Sequence, residues 1–204
     1  MYRRAAGKLN RRAFLGMAAA LMSTTALSGA SATGGAESYV NEIADKVLQL
    51  ANNGQKGPAL RAKFASLMNR YINLRGIANY ALGRYRKKLP ASRTSEFYDL
   101  VSNYAAALFV YYLEDFQGTG LEIMSTSTRG KYTEIRSAIK LKSGGQEQVR
   151  WRLLPAGSGY RITDVNLKGV WLTISMKDRF TKVLNKSKGD FEPLFAELRE
   201  ANTW

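Results

Sequence analysis

Tyr132-Thr-Glu-Ile-Arg-Ser-Ala-Ile-Lys-Leu141 is the stretch from which the fold can be read. Ile135, Ser137, Ile139 and Leu141 share one face and Glu134, Arg136 and Lys140 the other, and a period of two marks a half-buried strand. Ser143-Gly144-Gly145 turns the chain into a second alternating run, Val149, Trp151 and Leu153 against Arg150 and Arg152. Pro155 to Gly159 turns it again, into Tyr160-Arg-Ile-Thr-Asp-Val-Asn-Leu167. Short turns between such runs predict an antiparallel meander. Leu121 to Ser127 adds a fourth strand, and Val170-Trp171-Leu172 can extend the sheet after Lys168-Gly169.

On either side of this block the period lengthens to that of a helix. Val40, Ile43, Ala44, Val47, Leu48 and Ala51 recur at steps of three and four and predict a helix from Ser38 to Ala51, ended by Asn52-Asn53-Gly54. Pro58 suits the first turn of a second, with the stripe Leu60, Phe64, Leu67, Met68 and Tyr71. A third, after Asn73, carries Leu74, Ile77, Ala78, Ala81, Leu82 and Tyr85 and stops at Arg86-Lys87-Lys88, where cations suit the negative end of the helix dipole. The longest is expected from Ala91 or Ser92 to about Phe116, turning Phe97, Leu100, Val101, Tyr104, Leu108, Tyr111 and Tyr112 inward. Met176 to Leu184 and Phe191 to Leu198 return to helical spacing. Helices, then a mainly antiparallel sheet of four to five strands, then helices describe an α+β domain.

The 204 residues are 45% apolar and 23% charged, a globular composition. There is no histidine and no cysteine, which excludes disulfides, thiolate nucleophiles and imidazole chemistry. The formal charge is +15, and removing the cations of the leader, Arg3, Arg4, Lys8, Arg11 and Arg12, leaves +10. Such a balance attracts anionic surfaces without naming them.

The leader itself is a basic stretch followed by an apolar run from Ala13 to about Leu27, with no further charge before Glu37. That order is a secretory signal. Asn10-Arg11-Arg12-Ala13-Phe14-Leu15 has the paired Arg followed by Phe-Leu of a twin-arginine motif. Ala30-Ser31-Ala32 offers a peptidase small residues, which places cleavage after Ala32, with Ala36 as second choice, and makes residues 33–204 the mature domain. A membrane anchor would need roughly 20 apolar residues, more than this run supplies. Export to the periplasm removes nucleic acid as a partner for Arg84-Tyr85-Arg86-Lys87-Lys88, which reads as a solvated helix end.

Few residues suggest chemistry. Adjacent Glu114 and Asp115 point to different sides of a helix, and Glu122, Asp164 and Asp178 have no partner nearby in sequence. The glycines fit turns better than a phosphate loop. The large apolar side chains of the long helix and the sheet form either a filled core or the lining of a pocket, and periodicity does not separate the two.

Leu74-Arg-Gly-Ile-Ala-Asn-Tyr-Ala-Leu-Gly83-Arg84-Tyr85-Arg86, then Pro90 and Phe97, then Tyr160-Arg-Ile-Thr-Asp-Val-Asn-Leu-Lys-Gly169-Val170 together resemble the MlaC, or toluene-tolerance, family of periplasmic phospholipid-binding proteins. The resemblance runs from about Tyr39 to Leu198. It implies an apolar cavity that holds the acyl chains of one phospholipid, and a carrier rather than an enzyme, with no cofactor. It also implies partners: an inner-membrane complex of an MCE-domain protein and an ABC transporter, and an outer-membrane lipoprotein complex. A monomer making transient contact with membrane surfaces is expected. On this reading Ile135, Ile139, Val149, Trp151, Leu153 and Ile162 of the sheet, with Tyr104, Leu108 and Tyr112 of the long helix, are the candidate lipid-binding residues. Tyr160 stands where the family usually has Trp, a mild change, and Trp171 where Ser is common, a larger side chain that predicts a reshaped end of the cavity. The alternatives are a carrier of hopanoid or another apolar ligand, a small envelope enzyme with a similar cavity, and an interaction module with a solid core.

Overall fold

The computed structural model describes residues 27–111 and 117–201, and only the backbone of residues 27–33. Among the described residues six α-helices accompany a five-stranded sheet: α1 (Leu27–Asn52), α2 (Pro58–Tyr71), α3 (Leu74–Ala81), α4 (Thr94–Tyr111), α5 (Leu172–Lys186) and α6 (Glu192–Glu200). The strands are β1 (Gly118–Arg129), β2 (Tyr132–Leu141), β3 (Gln146–Ala156), β4 (Gly159–Leu167) and β5 (Val170–Trp171). They lie in chain order, each antiparallel to the next. The expected α+β meander is the observed one.

Four helices differ from their sequence reading: α5 opens at Leu172 rather than Met176, and α3 ends at Ala81, with Tyr85 on a 3-10 turn, Gly83–Lys88. α1 begins at Leu27 rather than Ser38, and its backbone runs unbroken through Ala32 and Ala36. α4 opens with a 3-10 turn, Ala91–Arg93, and Tyr111, expected inward, is 69% exposed. Leu108 and Phe109, earlier on the same helix, border a void. Tyr112, Glu114, Asp115 and Phe116 lie outside the described residues.

The strand β4 does not alternate simply. Arg152 pairs with Asp164 but Leu153 pairs with Ile162, so Thr163 is a bulge with no opposite number. The extra residue flips the parity of the rest of the strand. Ile162, Val165 and Leu167 therefore share the inner face with their partners Leu153, Trp151 and Val149, while Asp164 and Asn166 turn to the outer face.

Three apolar clusters fill the protein. The inner face of the sheet, with Ile135, Ile139, Val149, Trp151, Leu153 and Ile162, packs on Ala36, Val40, Ile43 and Leu48 of α1 and on Tyr71. Phe97, Phe180 and Phe195 centre a second cluster joining α3, α4, α5 and α6. Leu60, Phe64 and Met68 of α2 meet Ala105 and Ala106 of α4 in the third.

The outer face of the sheet carries charge. Glu134 is 4% exposed and accepts from Arg150 Nη2, and Arg152 Nε lies 3.6 Å from its other oxygen. Trp171 covers both cations, its ring centroid 3.8 Å from Arg152 Cζ and 5.2 Å from Arg150 Cζ. Trp171 thus lies off the cavity, and the expectation that it reshapes the cavity's end is corrected: it follows exposed Val170 on a two-residue strand, so its side chain takes the opposite face. Buried Asp164 accepts from Thr173 N at 3.1 Å and from Thr173 Oγ1 at 2.6 Å, tying the first turn of α5 to β4. It is a structural cap.

Candidate functional site

Where the three clusters meet, they leave a cavity of about 520 Å³, within the size range of sites for small ligands. The sheet floor supplies Ile139, Val149, Trp151, Ile162, Val165 and Leu167; α1 supplies Ile43 and Val47; α2 and its end supply Phe64, Leu67, Met68, Tyr71 and Ile72. The opposite wall is Tyr104, Ala105, Leu108 and Phe109 of α4. Leu172, Ser175, Met176 and Arg179, at steps of three, one and three along α5, close one side, and Lys168 and Val170 complete the lining.

The polar atoms of the aromatic lining are tied down. Trp151 Nε1 donates to Ser137 Oγ at 2.9 Å, and Ser137, fully buried, donates in turn to Val149 O at 3.1 Å. The indole is thereby fixed in the wall. Tyr71 turns its hydroxyl to Glu42 Oε1 at 2.6 Å, a hydrogen bond that holds the Glu42 carboxyl below the usual carboxylate range. The Phe64 and Phe109 rings meet at a tilt of 34° with centroids 4.5 Å apart. Among the described residues the lining contains no carboxylate, and no cluster of three His, Cys, Asp or Glu could hold a metal ion.

Ser137→Ala should destabilise the protein by about 1–3 kcal/mol, because it leaves a buried indole N–H without its acceptor. Chemical denaturation followed by tryptophan fluorescence measures this. A change below about 0.5 kcal/mol would mean that the indole finds another partner.

Of the nine residues singled out by sequence, Tyr104, Leu108, Ile139, Val149, Trp151 and Ile162 line the cavity. Ile135 and Leu153 are fully buried in the sheet–α1 cluster instead of the lining, because α1 seals that end of the inner face. Tyr112 lies outside the described residues. Val165 and Leu167 were missed because strict alternation places them opposite Ile162. The signal for a bulge was present: the two polar residues Thr163 and Asp164 stand between Ile162 and Val165.

The sequence profile of the MlaC protein family matches residues 41–200. The chain belongs to the MlaC family. A solved structure of the phospholipid-binding protein from Ralstonia solanacearum, in complex with a phospholipid, has the same fold: TM-score 0.68 at 19% identity, covering 82% of this chain and 97% of that one. No curated protein sequence matches the chain. The two stretches that carried the MlaC resemblance are joints of the fold. Leu82 is fully buried, Gly83 takes φ of 53°, and the buried Tyr85 and its neighbour Arg84 both donate to Asn185 Oδ1 on α5, at 2.8 and 2.6 Å. Asp164 caps the same helix from the sheet. Both anchors of the MlaC resemblance therefore hold α5 against the cavity.

Proposed function

We propose that this MlaC-family protein is a periplasmic carrier that buries the acyl chains of a phospholipid in its cavity and shuttles it between membranes. The observation that carries the reading is a cavity of about 520 Å³ whose walls are apolar and whose polar residues gather on one rim. Each methylene withdrawn from water contributes about 0.8 kcal/mol, so enclosing about ten stabilises the complex by about 8 kcal/mol. A surface patch would not cover them. The phospholipid held by the Ralstonia solanacearum protein supports the same ligand class here. Mass spectrometry of lipid extracted from the purified protein is the test: phospholipid near one mole per mole is expected, and its absence, with no uptake from vesicles, overturns the reading.

Ile139, Val149, Trp151, Ile162, Tyr104 and Leu108 are the proposed chain contacts, joined by Val165 and Leu167. The delivering and receiving partners are the inner-membrane MCE-domain and ABC transporter complex and the outer-membrane lipoprotein complex. The +10 mature chain favours brief contact with anionic surfaces, an attraction that fades as salt shortens its range to about 10 Å at 0.1 M. Neither catalysis nor a cofactor is part of this proposal.

Residues 1–32 act as a twin-arginine signal in this reading. Fully buried Ala36 packs in the sheet–α1 cluster, which supports cleavage after Ala32 over cleavage after Ala36. Replacing Arg11 and Arg12 with Lys is expected to stop export, with precursor accumulating in the cytoplasm by fractionation. Undiminished periplasmic protein would point to another route.

A further inference from the structure

Arg84-Tyr85-Arg86-Lys87-Lys88, a solvated helix end in the sequence, lies in the fold beside a second basic segment. Arg84 and Tyr85 bond to Asn185, which lays the 3-10 turn Gly83–Lys88 along the C-terminal half of α5. Lys182 and Lys186 share one face of α5 with Asn185, and the stem of Lys177 lies beside Gly83. Lys88 Nζ is 5.7 Å from the Tyr85 ring centroid, and Gly189 packs on the same ring, which brings in Lys188. Eight cations thus meet on one surface with two acids, Asp178 and Asp190. Seven of them are exposed and Lys177 is half-buried. Among the described residues no carboxylate is ion-paired with any of the eight. The cations around α6 differ, since Arg93, Arg179 and Arg199 are all paired with Glu96, Glu192 or Glu197. We propose that the surface formed by Gly83–Lys88 and α5 docks the protein on an anionic lipid bilayer. The proposal deepens the carrier reading above, on which its purpose, lipid exchange at the bilayer, rests.

The kind of cation favours a bilayer over an acidic protein. Six of the eight are Lys. Interfaces between proteins are enriched in Arg, whose rigid fork matches carboxylates, and depleted in Lys. A Lys ammonium on its long stem is a mobile point charge, suited to a diffuse layer of headgroup phosphates. Holding these cations together costs the fold repulsion, as between Lys182 and Lys186 one turn apart, and an anionic surface removes that cost. The same surface also carries apolar groups. Tyr80 is 46% exposed, with Lys177 Nζ 5.1 Å from its ring centroid, and Ile174, one turn before Lys177, is 44% exposed. Tyr, with an apolar ring and a polar tip, and Lys, with an apolar stem, settle at the boundary between headgroups and chains. Another stripe of the same helix, Leu172, Ser175, Met176 and Arg179, lines the cavity. A docked α5 therefore lies between the bilayer and the bound lipid.

Vesicle flotation tests the docking face, comparing phosphatidylcholine containing about 30% phosphatidylglycerol with phosphatidylcholine alone. The protein is expected to float with the anionic vesicles at about 0.05 M salt and to leave them at about 0.5 M, as its charges are screened. Arg86→Gln, Lys87→Gln, Lys182→Gln and Lys186→Gln together, all at exposed positions, should weaken the partition about a hundredfold, at about fivefold for each cation that reaches the surface. Lys63→Gln, Lys131→Gln, Arg136→Gln and Lys142→Gln remove equal charge from exposed positions elsewhere and should change it by less than about threefold. The chain has no cysteine, so Ile174→Cys takes a single environment-sensitive nitrobenzoxadiazole label. Its emission should rise and shift to the blue on anionic vesicles, and that of labelled Arg136→Cys should not. Equal flotation on both vesicles, equal losses in the two charge variants, or a silent label on Ile174→Cys overturns the docking face. Displacement from the vesicles by a stoichiometric oligoglutamate peptide would assign the surface to an acidic protein and overturn the bilayer assignment. Mass spectrometry of extracted lipid reads the carrier function separately: protein that floats but holds no lipid overturns that reading and not the docking face, and failure to dock with lipid still bound does the reverse.

Discussion

Leu108→Trp and Val165→Trp, from opposite walls of the cavity, are each expected to strip the protein of lipid while leaving it folded. Leu108 projects from α4 and Val165 from β4, both half-buried and both lining the same void. A larger side chain there grows into empty space rather than into packed neighbours, so the usual overpacking cost of about 1–3 kcal/mol is not incurred in full. Filling a cavity adds contacts, and melting temperature should hold or rise. The ligand bears the effect. Excluding about five methylenes from the site forfeits about 4 kcal/mol, close to a thousandfold in affinity. Lipid extracted from either variant should fall below about a tenth of a mole per mole. Stoichiometric lipid in both variants would show that the chains lie elsewhere.

Glu134→Gln should lower stability at neutral pH by about 2–3 kcal/mol, or roughly 5–10 °C in melting temperature for a domain of this size. The carboxylate is 4% exposed beneath Arg150 and Arg152, and removing one partner of a fully buried pair costs about 3–5 kcal/mol. These guanidiniums are 33% and 39% exposed and regain some water, so the expected loss is smaller. Burial pushes the Glu134 carboxyl up, but the Arg150 hydrogen bond and the fields of Arg150, Arg152 and Arg129 outweigh it and hold the group below its ordinary value. A depressed carboxyl stabilises the fold above its unfolded value near 4.3 and loses that contribution as pH falls through the folded value. The gap between wild type and Glu134→Gln should therefore be full at pH 7 and shrink below about pH 4. An equal gap at pH 3 and pH 7 would assign the effect to packing instead of charge.

How much of this was legible in the chain depended on whether the cause was local. The inward stripes of α2 and α3 follow from helical spacing alone. β2 occupies the predicted Tyr132 to Leu141 because Ile135, Ser137, Ile139 and Leu141 recur at every second position, although Glu134 and Ala138 on the other face are buried as well. The same rule failed on β4, where one unpaired residue at Thr163 reverses the face of Val165 and Leu167. Helical spacing failed in turn at Tyr111, which falls on the inward stripe yet is exposed.

The sequence by itself determined the α+β meander, the family, and the apolar face from which the cavity is cut, because periodicity and turn chemistry act between near neighbours. Only the tertiary structure decided which of those apolar residues face a void. Ile135 and Ile139 stand on one face of one strand, yet α1 covers the first and the second borders empty space. The reason is physical: a filled core and a hollow one require the same apolar side chains. What separates them is how far the surrounding helices stand off, and that is fixed by long-range joints such as Asp164 to Thr173 and Tyr85 to Asn185.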